Sequence, residues 1–369
     1  TWGEHFQKHG YSSTRVGKIF HMRVPGDIID GTDGQDVPAC WSAKYNIPGK
    51  EAHTPGKYAC LNLNRFTSEL EGRESTRMPN RMFVTVEYEG DGSDQPDWKT
   101  ATQSIKLLKR FKQEKQPFFL AAGLIRPHYP NVAPSQYFDL YPHSKMKLPF
   151  VPAEDWKDMP NPGVSKSNSM HFGIDRFPDN QRRMWTGYLA TVTYMDEQVG
   201  RILRALKELR LDKETLVLFT SDHGYLLGEH HFWQKSNLRE EVTRVPLIIR
   251  SPGMKTGASS SIVELVDMFP TACELTGLPI PSSVQGKSLL SIMHNPSIKV
   301  RNSALSFVKQ GTSMRSKRWS YMHYTDGSEE LYDMAKDPRQ FINLAQSIDA
   351  SEQMSKVRKA FDLRVQEIR

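Results

Sequence analysis

The sequence predicts an α/β fold: a mostly parallel central sheet flanked by helices, followed by a smaller C-terminal antiparallel sheet with one helix. Three observations carry this. Short apolar runs alternate with segments of helical period through the first 298 residues, the pattern of β-α repeats. One helical segment draws a single apolar stripe through Met184, Tyr188, Val192, Met195, Val199, Ile202, Leu206 and Leu209, in steps of four or three residues. After HNPSIKVR the character changes, and SALSFVKQ, RWSYMHYT and EELYDMA read as strands of a small antiparallel sheet before a terminal helix, SEQMSKVRKAFDLRVQEIR. The expected domains are 1–298 and 299–369, since 369 residues exceed the roughly 250–300 that one core usually serves.

Taken in order, Trp2 to His9 reads as a helix stopped by Gly10, and Ser12 to Val16 as a strand. Residues 22–96, rich in Gly, Pro and Asp, show no clear period. Thr100 to Phe111 reads as a helix with Ile105, Leu108 and Phe111 on one face, and PFFLAAGL as a buried strand leading into the turn IRPHYPN. Residues 126–182 are Pro-rich and irregular, and such a stretch in a compact chain commonly builds a pocket. The striped helix comes next, its stripe implying core packing. TLVLFTSDHG reads as a buried strand that stops at polar residues, and VPLIIRSPG as another, while Asp267 is placed to cap a helix running to about Thr276.

Composition excludes several classes. No run approaches the roughly 18 apolar residues that span a bilayer, so no membrane-embedded role is expected. The balance of 49 basic against 42 acidic side chains gives +7, which suits an anionic partner or a merely soluble surface. Three cysteines, Cys40, Cys60 and Cys273, show neither CxxC nor zinc spacing and do not fix their redox state. GKS at 286–288 lacks the upstream glycine of a phosphate-binding loop, and G-x-G-x-x-G, H-E-x-x-H and G-x-S-x-G are absent. The basic residues are not interleaved with aromatics as in nucleic-acid modules, so no nucleic acid is expected. The oligomeric state is left open. TWGEHFQKHGY contains no signal-peptide core and does not begin with Met, as in a mature or truncated product.

Four segments carry chemistry. LVLFTSDHG delivers Asp222 and His223 to the C-terminal end of a strand, where open α/β sheets bind ligands. A carboxylate and an imidazole there can hold a metal, or can be a capping Asp beside a surface His. RVGKIFH places Lys18 and His21 three apart after a strand; a helical turn would put both on one face to grip an anionic oxygen group, the alternative being a solvated Lys and a packed His. IRPHYP stiffens the loop around His128 with two prolines, a mount for a catalytic imidazole or a turn-filling one. LGEHHFWQKSNLREE sets His230, His231 and Lys235 downstream of Asp222, where a lysine can neutralise developing charge. Tyr225 and Trp233 flank this segment, placed to pack or to stack on a sugar ring. Metal plus cations suits a transferable oxyanion, sulfate or phosphate.

These residues resemble the type I sulfatases of the alkaline-phosphatase-like superfamily, most closely the iduronate-2-sulfatase branch and its bacterial relatives. VGKIFH, PFFLAAGLIRPHYP, YLATVTYMDEQVGRIL, LFTSDHGYLLGEHHFWQK, VPLIIRSPG, VELVDMFPTACELTGLPIP and ELYDMAKDPRQFINLA carry the likeness in the same order. The resemblance implies a hydrolase of sulfate esters on a sulfated carbohydrate. It implies Asp222 and His223 as ligands of a calcium ion, and Lys18 and His21 as contacts to a formylglycine nucleophile and the sulfate. It further implies His128 as a sulfate contact and proton donor to the leaving alcohol, Lys235 as a sulfate-binding lysine, and a periplasmic or secreted location. In the family a hydrated formylglycine attacks sulfur, the alcohol leaves, and the sulfated hydrate collapses. The sequence departs from the family in one respect. Cys40, Cys60 and Cys273 are followed by WSAK, LNLN and ELTG, and neither they nor any Ser begins a C/S-x-P/A-x-R motif; the paired aspartates of the first family strand are also missing. The expectation is a sulfatase whose nucleophile lies outside these residues. A non-catalytic sulfatase fold that binds sulfated glycans, or a two-metal phosphatase or phosphodiesterase of the same superfamily, are the other readings.

Overall fold

A computed structural model describes residues 1–74 and 77–368. The chain divides into two compact units, residues 1–148 with 169–214, and residues 149–168 with 215–369. The expected boundary near 298 falls inside the second unit, just before its four-stranded sheet.

The first unit is built on a parallel sheet in which Ser12–Gly17 lies between Ala43–Tyr45 and Phe118–Gly123. All six residues of Ser12–Gly17 are buried although four carry polar side chains. The two most deeply engaged find partners: Ser13 Oγ donates to the Cys40 carbonyl at 2.7 Å, and the Arg15 guanidinium reaches Asp36, Asn46 and the Gly17 carbonyl, whereas Thr14 Oγ1 is buried without one among the described residues. Phe118–Gly123 is only half-buried except at Gly123, because it is the edge strand of this sheet and not, as expected, a strand enclosed on both sides. The helix expected at 100–111 runs over Pro96–Glu114, Pro96 fitting its first turn where no backbone N–H is needed.

The unassigned stretch 22–96, in which residues 75 and 76 lie outside the described residues, contains the strands Lys57–Cys60, Arg65–Thr67 and Val84–Tyr88. With Asn131–Pro134 they form a second, mixed sheet over a core of Tyr58, Cys60, Val84, Val86, Tyr88 and Val132. The long helix spans Pro178–Glu208. Its most buried face is not the predicted apolar stripe, of which only Met184 and Leu206 are buried, but the small and polar set Gly187, Ala190, Thr191, Tyr194 and Gln198. The cause is close approach: a Cβ at position 187 would sit 2.7 Å from the Thr85 methyl, so the helix meets the second sheet where its side chains are smallest.

The second unit holds an antiparallel pair, Val217–Thr220 with Leu247–Arg250. Both strands are half-exposed, again because each is paired on a single edge. A two-residue hairpin, Leu226–Leu227 with Trp233–Gln234, follows the first of them. The C-terminal antiparallel sheet has four strands, Ser303–Val308, Gly311–Ser316, Trp319–Tyr324 and Glu329–Asp333; the second, GTSMRS, is too polar to announce itself. The terminal helix Ser351–Gln366 buries Met354, Val357 and Phe361 against Met314, Tyr321 and Leu331 of that sheet. Among the described residues no helix is long and apolar enough to cross a membrane, and all three cysteines are buried free thiols.

Candidate functional site

In the first unit Lys18 and His128 sit at the same end of the parallel sheet. The Lys18 amide donates to the Gly123 carbonyl at 3.0 Å, extending the ladder by one rung. The approach is tight enough that a Cβ on Gly123 would lie 1.9 Å from the Lys18 carbonyl oxygen. Lys18 is half-buried and His21 exposed, and they are joined by a bend and not by the helical turn that would have put them on one face. The bend is pinned at its end: the His21 carbonyl accepts from the Gln35 amide at 2.8 Å. Asp27 then accepts from the Arg23 amide, the Arg23 guanidinium and Thr32, and the Arg23 hydrogen bonds hold its carboxyl down at about 2.

His128 is half-buried, with Nδ1 donating to the Tyr129 carbonyl at 2.7 Å. A carbonyl only accepts, so this contact places the ring proton on Nδ1 and makes Nε2 the proton-exchanging nitrogen. The loop that carries His128 rests on buried charge. Arg126 forks onto the Glu51 carboxylate at 3.1 and 3.2 Å and reaches the His128 carbonyl at 3.2 Å. Asp97 accepts from the amides of Ile125 and Arg126 at 2.7 and 3.0 Å; burial pushes its carboxyl up against the pull of Arg126. Sequence reading missed Arg126, Glu51 and Asp97. Glu51 and Arg126 are 75 residues apart, and no spacing rule pairs charges at that distance.

In the second unit the strand Val217–Thr220 ends as expected at Asp222 and His223. His223 Nδ1 donates to the Gly224 carbonyl at 2.7 Å, and Nε2 accepts from Lys235 Nζ at 2.8 Å. Asp222 Oδ2 lies 3.6 Å from the same Nε2, while its Oδ1 accepts from the His223 amide at 3.1 Å. Three of the predicted residues are thus brought together. Backbone contacts fix this turn: the amides of Gly224 and Tyr225 donate to Val242 and Glu241, so closely that a Cβ on Gly224 would lie 1.9 Å from the Glu241 oxygen.

The hairpin bearing Lys235 is held by the segment 149–168. The Trp233 amide donates to the Ser167 carbonyl at 2.7 Å, and Trp156 Nε1 donates to the His230 carbonyl at 2.6 Å. His230 and Asp155 form a fully buried pair at 2.8 Å, which gives His230 a structural part the sequence left unassigned. Beyond Lys235, the Asn237 amide donates to the Lys235 carbonyl, and Asn237 Oδ1 takes the Arg239 amide. Arg239 in turn pairs at 2.7 Å with Glu330, a buried carboxylate that also accepts from Tyr324 and Tyr332. Tyr225 is half-buried. Trp233 has no exposed surface, so of the two roles offered for it, packing and stacking on a sugar, its indole serves packing.

Among the described residues no group of three or more His, Cys, Asp and Glu side chains converges to hold a metal. The donor chemistry of Asp222 and His223 fits part of a divalent-cation shell only with the Lys235 ammonium off Nε2: the Gly224 contact fixes the tautomer with its lone pair on Nε2, and a carboxylate oxygen lies beside it.

Comparison with known proteins defines first the fold. The chain superposes over its whole length on a protein solved "in complex with its substrate D-Glucosamine-2-N, 6-O-disulfate", with a TM-score of 0.71, 20% identity and 82% of that chain covered. It also superposes over its whole length on the phosphonate monoester hydrolase of Silicibacter pomeroyi, with a TM-score of 0.77, 21% identity and 80% of that chain covered. This is the alkaline-phosphatase-like α/β fold. The family follows from sequence. Residues 42–278 match the sulfatase family model and residues 228–369 the C-terminal model of N-sulphoglucosamine sulphohydrolase. The chain belongs to the sulfatase family. A sulfatase of Formosa agariphila is 31% identical over 356 residues, covering 93% of this chain and 65% of that protein. Iduronate 2-sulfatase of Homo sapiens is 31% identical over 315 residues, covering 75% of this chain and 54% of that protein. The chain therefore spans between half and two thirds of the length of these relatives.

Proposed function

We propose that this chain forms the greater part of a sulfatase that cleaves sulfate esters on a sulfated carbohydrate. The observation that carries the proposal is the Asp222–His223–Lys235 cluster, a carboxylate, a tautomer-fixed imidazole and an ammonium within hydrogen-bonding reach at a strand end. In this proposal Lys235 binds a sulfate oxygen and offsets the charge that grows on it as the S–O bond opens. His128, whose ring proton is placed by Tyr129, uses Nε2 to deliver a proton to the leaving alcohol. Lys18 and His21 contact the sulfate and the nucleophile. Asp222 and His223 supply two of the donors for a calcium ion, which when bound polarises the sulfate oxygens. The 369 residues contain no C/S-x-P/A-x-R segment, so the formylglycine belongs to chain beyond them. A periplasmic or secreted location accompanies this proposal, as sulfated polysaccharides are extracellular.

The test is sulfate release. The longer protein, produced with a formylglycine-generating enzyme and with the aldehyde confirmed by mass spectrometry, is expected to free sulfate from a glucosamine sulfate. No release from any sulfated sugar would defeat the proposal. The likeness in fold to a phosphonate monoester hydrolase supports a second assay, hydrolysis of an aryl phosphonate monoester. Faster turnover of that substrate, with two transition-metal ions bound, would move the chain to the phosphoryl side of the superfamily.

A further inference from the structure

A small cleft in the first unit, about 200 Å³, lies between the helices Pro96–Glu114 and Pro178–Glu208 and is lined by Ile105, Lys109, Arg201, Arg204, Glu208 and Leu209 among others. Three of these are cations and one is an acid. Arg201 is held rigidly: its guanidinium stacks 3.9 Å above Trp98 and donates to the Trp98 carbonyl, Gln198 Oε1 and Thr102 Oγ1 at 3.2, 2.8 and 2.8 Å. All three acceptors are neutral. Glu197, whose charge acts on Arg201, accepts a hydrogen bond from the Tyr137 hydroxyl. Burial pulls the Arg201 pKa down, and Arg204 beside it works in the same direction. Neither arginine, nor Lys109, takes part in an ion pair among the described residues. A guanidinium fixed by neutral groups, with a second guanidinium near it, is an anion site waiting for its counter-charge.

A contrasting cavity shows that this is not the general state of the surface. A larger one, about 590 Å³, also in the first unit, is lined by Lys57, His143 and Arg183, among others. There the cations stand beside carboxylates: Lys57 with Glu87 at 2.6 Å and Arg183 with Asp179 at 3.3 Å, while His143 Nε2 lies 3.6 Å from the same Asp179. In the cleft between the helices, by contrast, Lys109, Arg201 and Arg204 have no ion-pair partner among the described residues.

We propose that this cleft is a second carbohydrate-binding site, taking a sulfate group of a sulfated polysaccharide at Lys109, Arg201 and Arg204, apart from the residues assigned to hydrolysis. Its volume of about 200 Å³ has room for one sulfate ester and the edge of the sugar that bears it. Arg201, whose Nη1 protons are committed to Trp98 and Gln198, adds its fixed charge and its remaining N–H groups, Arg204 presents its guanidinium to the sulfate oxygens, and Lys109 adds a point charge. The site would hold a long chain to the enzyme while another sulfate is cleaved. The inference rests on the proposed substrate class, sulfated carbohydrate, and adds that the substrate is a polymer.

The test is titration of the 369-residue chain with a size-defined sulfated oligosaccharide and with its desulfated counterpart, at low and at physiological salt. Expected are binding to the sulfated chain alone, weakening with salt, and a loss of at least about tenfold in the double variant Lys109→Glu/Arg204→Glu, which touches no core residue. Arg201→Gln, checked by its melting curve, is expected to weaken binding similarly. In the longer, formylglycine-bearing enzyme the double variant should raise KM for the polymer about tenfold and leave KM and kcat for a sulfated monosaccharide unchanged. Equal binding of the desulfated chain, an unaffected double variant, or equally tight binding of duplex DNA would overturn the inference. Sulfate release from the monosaccharide is read separately. Release with no polymer affinity defeats the second site alone, whereas polymer binding without any release defeats the proposed activity and leaves the site standing.

Discussion

The two groups of candidate catalytic side chains are mounted in opposite ways. His128 stands on a loop tied down by a buried Arg126–Glu51 pair and by Asp97, charges drawn from three distant parts of the first unit. Asp222, His223 and Lys235 lie within 14 residues of sequence and hold one another, with Asp222 largely exposed. The first arrangement makes positioning a matter of global stability; the second makes it a matter of a local turn and hairpin. The same chemical demand, an imidazole or ammonium in a fixed place, is met once by long-range electrostatics in a dry interior and once by short-range backbone contacts.

The contrast is open to direct attack. The largest expected effect is on the buried mount. Glu51→Ala leaves Arg126 charged and unpaired, and should cost about 3–5 kcal/mol in urea unfolding of the chain. A loss below about 1 kcal/mol would show that the loop does not depend on that pair. Next comes His128→Ala, expected to lower sulfate turnover by about 10²–10⁴-fold with melting temperature almost unmoved. If His128 acts as proton donor, the loss shrinks with an activated aryl sulfate, whose leaving group needs no proton. Lys235→Ala should cost about 10²–10³-fold in kcat, again with little change in melting, because its ammonium answers to a half-exposed His223 and not to a core. A melting drop comparable to that of Glu51→Ala would erase the contrast between the two mounts.

The smallest effect is acid sensitivity at the bend after Lys18. Asp27 titrates at about 2 in the folded chain against 3.8 as its ordinary value. A depressed carboxyl stabilises the fold above the ordinary value and loses that contribution as pH falls through the folded one. Stability should therefore drop by about 1–2 kcal/mol between roughly pH 4 and pH 2, and the drop should be smaller in Asp27→Asn. An identical acid limb in that variant would assign the sensitivity elsewhere.

Much of the architecture was legible in the sequence where local pattern suffices. The strands around Val16, Ala121 and Phe219, the helices at 96–114 and 178–208, and three of the four strands of the C-terminal sheet announce themselves by period or by apolar runs. What stayed hidden had physical reasons. The strands at 57–60 and 65–67 are too short to show alternation, and VTVEY at 84–88, which does alternate, is a five-residue run inside a stretch otherwise rich in Gly, Pro and Asp. The buried face of the long helix is written in small residues, so hydrophobicity pointed to the neighbouring stripe. Of the candidate site, the residue types and the strand ends could be read. The Arg126–Glu51 and Arg239–Glu330 pairs could not, since ion pairing across 75 and 91 residues leaves no mark on local spacing. Trp233 left two roles open because a large aromatic beside a polar loop looks the same in sequence whether it faces solvent or core.

Gly123 and Gly224 set a limit of another kind. At each, a single added methyl would collide with a carbonyl oxygen 1.9 Å away, at Lys18 and at Glu241. Neither glycine bears a functional group, yet each occupies a place where the chain has room for hydrogen only. In a saturation scan these two positions should reject every replacement, alanine included, and so be as unforgiving as the lysine and the histidine whose backbone they adjoin. An engineer redirecting this protein to a new sulfated sugar would have freedom in the loops and none at these two points.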